Sequence, residues 1–140
     1  MTEVRQLRLV VTVDNYDEAL AFYRDVLGLT EEASFAAEGG RVSILDAGRA
    51  TLEITDRPHA GYIDQVEVGW RVAGHIRVAF EVDDSPSVTR SLERAGATVI
   101  AEPTVTPWNS LNARLQGPGD LQLTIFQELS RELSQEPDAN

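Results

Sequence analysis

The feature that most constrains this chain is a strand–turn–helix unit that occurs twice. In the first copy, LRLVVTVDNYDEALAFYRDVLGL from Leu7 to Leu29, one parity is apolar throughout: Leu7, Leu9, Val11, Val13. The other parity reads Gln6, Arg8, Val10, Thr12, and such period-two alternation marks a strand with one face in a core. Asn15 then has N-cap chemistry, and Glu18 three residues later completes a capping box. Ala19, Phe22, Tyr23 and Val26 come next at helical spacing, and Gly28 is placed to stop the helix. The plan returns from Ile76 to Gly96. Ile76, Val78, Phe80 and Val82 form one face and His75, Arg77, Ala79 and Glu81 the other. Asp84 or Ser85 caps the next helix, Pro86 sits where its missing N–H costs nothing, Val88, Leu92 and Ala95 give the buried stripe, and Gly96 ends it. Aligning Asn15 with Asp84 sets Arg8 over Arg77, Val11 over Phe80 and Val13 over Val82, with one register shift needed inside the helices. The match implies a duplication of about seventy residues.

Each unit is followed by three strands. In the first half they are Ser34–Glu38, Val42–Leu45 and Ala50–Thr55, punctuated by Gly39-Gly40 and Ala47-Gly48. In the second half they are Thr98–Ala101, Ala113–Gln116 and Leu121–Gln127, with a longer loop, EPTVTPWNSLN, between the first two. Residues 57–74, RPHAGYIDQVEVGWRVAG, break the pattern and predict a loop with a short helix or strand joining the halves. Aromatics such as Tyr62 and Trp70 in such a connection suit a pocket rim or a subunit contact.

A four-stranded module with one helix covers only one face of its sheet. Two modules side by side therefore bury the apolar parity beneath the helices and leave a shared concave face opposite. Parity then lines that concavity with Arg8, Val10, Thr12, Thr51, Glu53 and Thr55 from the first half. The second half adds His75, Arg77, Ala79, Glu81, Gln122, Thr124 and Phe126. Enclosed charges must pair or bind something charged, because desolvation is otherwise costly. Two outcomes compete here: Arg8–Glu53 and Arg77–Glu81 pairs on a solvated sheet, or a ligand cavity that uses some of these groups.

Composition narrows the rest. With 140 residues, 42% hydrophobic, the chain is long enough for one packed domain, and it holds no apolar run of membrane-spanning length. The start, MTEVRQLRL, lacks the long apolar region of a signal peptide, and zero cysteines exclude disulfides and thiolate chemistry, which suits the cytoplasm. A net charge of -11 disfavours nucleic acid and anionic membranes as partners. No P-loop or dinucleotide glycine fingerprint is present, and no serine has a histidine partner by sequence logic.

The paired βαβββ plan, with AFYRDVLGL its most distinctive segment and VAFEVDD followed by SLERAGATV, resembles the vicinal oxygen chelate superfamily of glyoxalases, bleomycin resistance proteins and dioxygenases. The resemblance implies an α+β fold in which paired βαβββ modules form a curved mixed sheet with a concave cleft. The resemblance covers roughly residues 5–127; with the repeat it gives a single domain at 1–127, with modules at about 5–56 and 75–127, while composition marks a linker at 57–74 and an acidic tail at 128–140. Metal-using members of the family carry ligands at the positions occupied here by Arg8, Glu53, Arg77 and Thr124. Only Glu53 is a credible ligand, since an arginine is a permanent cation. A shifted metal site through His75, Glu53 and Glu81 lacks anything to fix its geometry, and His59 falls in the connection.

The expectation is therefore a metal-independent small-molecule binding protein with no cofactor, suited to sequestering an antibiotic or other natural product, aromatic or cationic. Arg8, Glu53, Arg77, Glu81, Trp108, Asn112 and Thr124 are its candidate ligand-binding residues. The alternative is a glyoxalase-like lyase, isomerase or dioxygenase, either metal-dependent through a non-standard site or metal-free with Glu53 as the base. The family further implies a homodimer.

Overall fold

The computed structural model describes residues 3–118 and 120–129. Its centre is an eight-stranded sheet in the order β2-β3-β4-β1-β5-β8-β7-β6. The first module comprises β1 (Gln6–Val13), α1 (Tyr16–Leu20), β2 (Thr30–Ala37), β3 (Gly40–Asp46) and β4 (Ala50–Asp56). The second comprises β5 (Ile76–Glu81), α3 (Ser85–Arg94), β6 (Thr98–Val105), β7 (Ser110–Gly117) and β8 (Leu121–Glu128). Between them runs α2 (Arg57–Glu67). The sheet order reads as the same four-strand pattern twice, joined at β1 and β5, so the duplication inferred from sequence is the architecture of the molecule.

The seam keeps that symmetry to the residue. β1 and β5 pair antiparallel, with Arg8 opposite Ala79, Leu9 opposite Val78 and Val10 opposite Arg77. Exchanging the halves maps this pairing onto itself, with Leu9–Val78 at its centre. Within each module the first strand runs parallel to the last, Val10 beside Glu53 in one and Ala79 beside Thr124 in the other.

The apolar parities meet the helices. Tyr16 and Leu20 of α1 pack on Leu45 and Ile54, with Val11, Val13, Leu52 and Tyr23 around them. Val82, Ala113, Leu115 and Ile125 form the matching cluster under α3, joined by Phe80, Val88 and Leu92. The caps are those expected: the Asn15 side chain accepts from the Glu18 N–H and that of Asp84 from the Ser87 N–H.

One helical stripe differs from expectation. Phe22 is 59% exposed and Val26 80%, so the first helix buries Tyr16 and Leu20 in their place, with the expected Ala19 and Tyr23 partly buried beside them. The cause is a π-helical segment over Ala21–Val26, in which the Leu27 N–H reaches back to the Phe22 carbonyl. One extra residue in the turn rotates the end of the helix away from the sheet. The first helix is also one residue longer between cap and glycine stop, Asn15 to Gly28 against Asp84 to Gly96, which is the register shift that the repeat alignment demands.

Two further segments are more ordered than expected. The stretch read as a long loop is mostly strand, since β6 runs to Val105 and β7 starts at Ser110. Pro103 fits there because β6 lies at the sheet edge, where a missing N–H breaks no ladder, and register shifts mark the irregularity. The connection at 57–74 carries the eleven-residue α2, capped by the Asp56 side chain, which accepts from the His59 N–H. Of the expected acidic tail, Glu128 ends β8, and residues beyond Leu129 lie outside the described part.

Candidate functional site

The concave face is not left bare, because α2 lies across it. Its footing is a buried cluster: Arg114 of β7, 0% exposed, bonds Asp64 Oδ1 at 2.8 Å and Glu67 Oε1 at 2.7 Å, both acids projecting from α2. Arg114 also donates to Gln122 Oε1, and Gln122 donates to the Val72 carbonyl. The second oxygen of Asp64 accepts the N–H groups of Val72 and Ala73, fixing the chain beyond the helix. At the other end, Gly40 allows the approach of α2 to β3, since a Cβ there would stand 2.2 Å from the His59 backbone nitrogen.

Between this helix and the sheet is a cavity of about 450 Å³. Its apolar wall includes Val10, Phe35, Ile44, Ala79 and Phe126, and its rim carries Tyr62 and Trp108, their ring centroids 6.2 Å apart. Arg8, Glu53, Arg77, Trp108, Asn112 and Thr124, six of the seven expected residues, all line it. Glu81 does not: β5 contributes Arg77 and Ala79, and Glu81 falls one strand step beyond, beside Gln6. Trp70 is 58% exposed and is absent from the lining, so the two tryptophans do not act together.

The polar groups in the cavity differ in how fully they are used. Asn112 is committed to the protein: its amide donates to Glu67 Oε2 and accepts from Ser110 Oγ. Arg8 is neutralised, with Nε on Gln6 Oε1 at 2.8 Å, Glu53 at 3.7 Å, Glu128 at 4.0 Å, and its guanidinium 4.7 Å from the Phe126 ring centroid. Arg77 is not. Its one hydrogen bond goes to Thr124 Oγ1 at 2.8 Å, and among the described residues no carboxylate is within ion-pair distance. Arg77 thus takes Thr124 as its partner where Glu81 was expected.

Glu53 receives only the long pair with Arg8, and burial pushes its carboxyl above the ordinary value against the opposing pull of Arg8 and Arg77. His59, read from sequence as part of a flexible connection, is 6% exposed, sits on α2 and faces the cavity. Its Nδ1 has no hydrogen-bond partner, and burial lowers its pKa, which favours the neutral ring. Sequence reasoning missed His59 and Glu67 as lining residues, and the ion pairs by which Arg114 holds α2. The only available signal was the spacing of Asp64 and Glu67 on one face of a short helix.

The residues present do not fit a divalent metal. Two of the four positions singled out by the family resemblance present guanidinium groups, which have no lone pair to donate. Among the described residues no three His, Asp or Glu side chains gather into a metal-sized group. The shifted alternative is not assembled either, since His75 is exposed and lines a separate hollow with Arg57, Arg71 and Thr12.

Comparison with known proteins agrees with this fold. The family model of the Glyoxalase/Bleomycin resistance protein/Dioxygenase superfamily matches residues 5–125, and the chain belongs to that superfamily. Curated relatives named "Putative glyoxylase CFP32", from Mycobacterium tuberculosis and Mycobacterium bovis, are 36% identical over 94 residues, 67% of this chain and 33% of theirs. The chain thus spans about one third of the length of those relatives. Among solved structures, methylmalonyl-CoA epimerase from Mycobacterium tuberculosis superposes with a TM-score of 0.67 at 18% identity, covering 93% of this chain and 92% of the other. Hypothetical protein BH1468 from Bacillus halodurans superposes at 0.66 with 16% identity and 99% coverage of both. At such identities the likeness is one of fold.

Proposed function

We propose that this chain is a metal-independent small-molecule binding member of its superfamily, taking an organic ligand into the cavity under α2. The observation that carries the proposal is the content of the four family ligand positions. They converge on one cavity, yet hold two arginines, a glutamate and a threonine, a set that recognises polar groups of an organic molecule and not a cation. The size of the cavity and its apolar wall with few polar groups suit a natural product of modest size. Sequestration of an antibiotic or similar compound is the corresponding role.

The test is calorimetric titration of a natural-product panel against protein with and without chelator treatment, and against Ala79→Trp, which fills the cavity. At least one compound should bind, chelation should leave its Kd unchanged, and Ala79→Trp should abolish the heat. Flat heats across the panel, or stoichiometric zinc, nickel, manganese or iron in the purified protein, would overturn the proposal.

A metal-free isomerase is the second reading, and Glu53 favours it. A carboxylate facing the cavity, held by one loose ion pair and with its pKa raised, is suited to taking the proton alpha to a carbonyl and returning it. Under this reading a bound carbonyl compound exchanges its alpha hydrogen with deuterated solvent, and Glu53→Gln binds it without exchange. A bound ligand that shows no exchange in the parent protein leaves the binding role alone standing.

A further inference from the structure

The duplication makes Arg8 and Arg77 equivalent, and the two modules treat them differently. On β4 the first module places Glu53, which pairs with Arg8; on β8 the second module places Thr124 at the corresponding position. A carboxylate in one half is therefore a hydroxyl in the other. Arg8 has Glu53 and Glu128 nearby, whereas Arg77 has the Thr124 oxygen and nothing anionic within pairing distance among the described residues. Asp64 and Glu67, the acids of α2, direct their carboxylates to Arg114 at hydrogen-bond distance and form no ion pair with Arg77. Arg77 faces the cavity with most of its five N–H donors unspent. Glu67, Glu53 and Asp64 act on this guanidinium only from beyond ion-pair distance, so an anion bonded to it directly would offset the cost of its burial.

We propose that Arg77 anchors a small monocarboxylate with an apolar body, the ligand's carboxylate supplying to the second module the charge that Glu53 supplies to the first. This rests on the cavity being a small-molecule site, and it narrows the expected aromatic or cationic ligand to an anionic one. The guanidinium fork meets a carboxylate with two parallel hydrogen bonds, and Thr124 Oγ1 lies beside it to fix the orientation. A single charge is indicated because Arg77 is the one arginine lining the cavity that has no carboxylate at ion-pair distance among the described residues. The apolar remainder of the ligand lies on Val10, Ala79 and Phe126, reaching towards Trp108.

Phenylacetate, phenylacetamide and phenyl phosphate test this, titrated into a Trp70→Phe background so that Trp108 alone reports by fluorescence. Phenylacetate is expected to bind at least tenfold more tightly than the neutral amide and than the phosphate. Arg77→Met should erase the preference for the acid while still binding the amide. Thr124→Glu places the missing carboxylate inside the protein and should erase the preference as well. Both variants should melt at higher temperature than the parent without ligand, because each relieves the unpaired charge, and Arg77→Lys should keep part of the preference. Equal binding of acid and amide, a preference that survives Arg77→Met, or tighter binding of the phosphate overturns the anchor and leaves the small-molecule site standing. Failure of all three probes also overturns the anchor, and only with flat heats across the natural-product panel does the small-molecule reading fall too.

Discussion

Glu53 and Arg114 are both enclosed charged groups on the concave face, and their surroundings assign them opposite parts. Arg114 is paired on both sides by acids at hydrogen-bond distance, whereas Glu53 has one partner at 3.7 Å. Glu53 is harder to ionise in the folded chain than in the unfolded one, chiefly through burial. Between the two pKa values the folded state holds more protons, so stability falls as pH rises from the ordinary carboxylate range through the raised one. Glu53→Gln removes that penalty. Its melting temperature should exceed the parent's by a few degrees at neutral pH, with the gain vanishing below about pH 4, where both states are protonated. A gain that is equal at the two pH values would mean that the charge of Glu53 is not its source. For His59 the sign is reversed: its pKa is lowered, mainly by burial, so the protein loses stability as pH falls through the ordinary histidine range. His59→Gln should flatten that part of the stability curve, as read from melts between about pH 5 and 7.

At the scale of elements, α2 is held on the sheet mostly by polar contacts, and this makes its attachment testable. Arg114→Met leaves Asp64 and Glu67 buried without their cation and should cost about 3–5 kcal/mol in urea unfolding. Adding Asp64→Asn and Glu67→Gln should recover much of the loss, because the penalty comes from the orphaned charges and not from the missing pair. In the single variant, amide exchange should accelerate first in residues 57–73, the segment that the cluster fastens. The π-helical segment invites a second test. Deleting Asp25, which is exposed, restores the length of the second module's helix and should cost no more than about 1 kcal/mol, since the turn returns to regular α geometry. Deleting Arg90 from the regular α3 instead rotates Val88 and Leu92 relative to each other and should cost several times as much.

Across the whole molecule, the modules share one sheet through the β1–β5 seam, and α2 contacts strands from both sides of it. We therefore expect the halves to unfold together. Tryptophan fluorescence, from Trp70 and Trp108, and far-ultraviolet circular dichroism should give superimposable urea transitions; separate midpoints would show two units. The repeat, the strand parities, both N-caps and the sharing of one cleft by Arg8, Glu53, Arg77 and Thr124 were legible in the sequence. Each is a local pattern, or a local pattern compared with its copy. The burial of Tyr16 and Leu20 in place of Phe22 and Val26 was not legible, because it depends on where an extra residue is absorbed. Nor was the position of α2, whose polar contacting residues carry no apolar stripe to announce what they cover. The charges were visible and so was the Arg8–Glu53 pair, but the Arg77–Glu81 pair expected beside it does not form, and the pairing of Arg114 with Asp64 and Glu67 was not legible. Sequence by itself determined that two copies of one module would form a sheet with arginines at matching places, because alternation and capping are read within a few residues. Only the tertiary structure decided that Arg8 keeps the carboxylate partner offered by the sequence whereas Arg77 meets a hydroxyl, because ion pairing depends on distances between strands far apart in the chain.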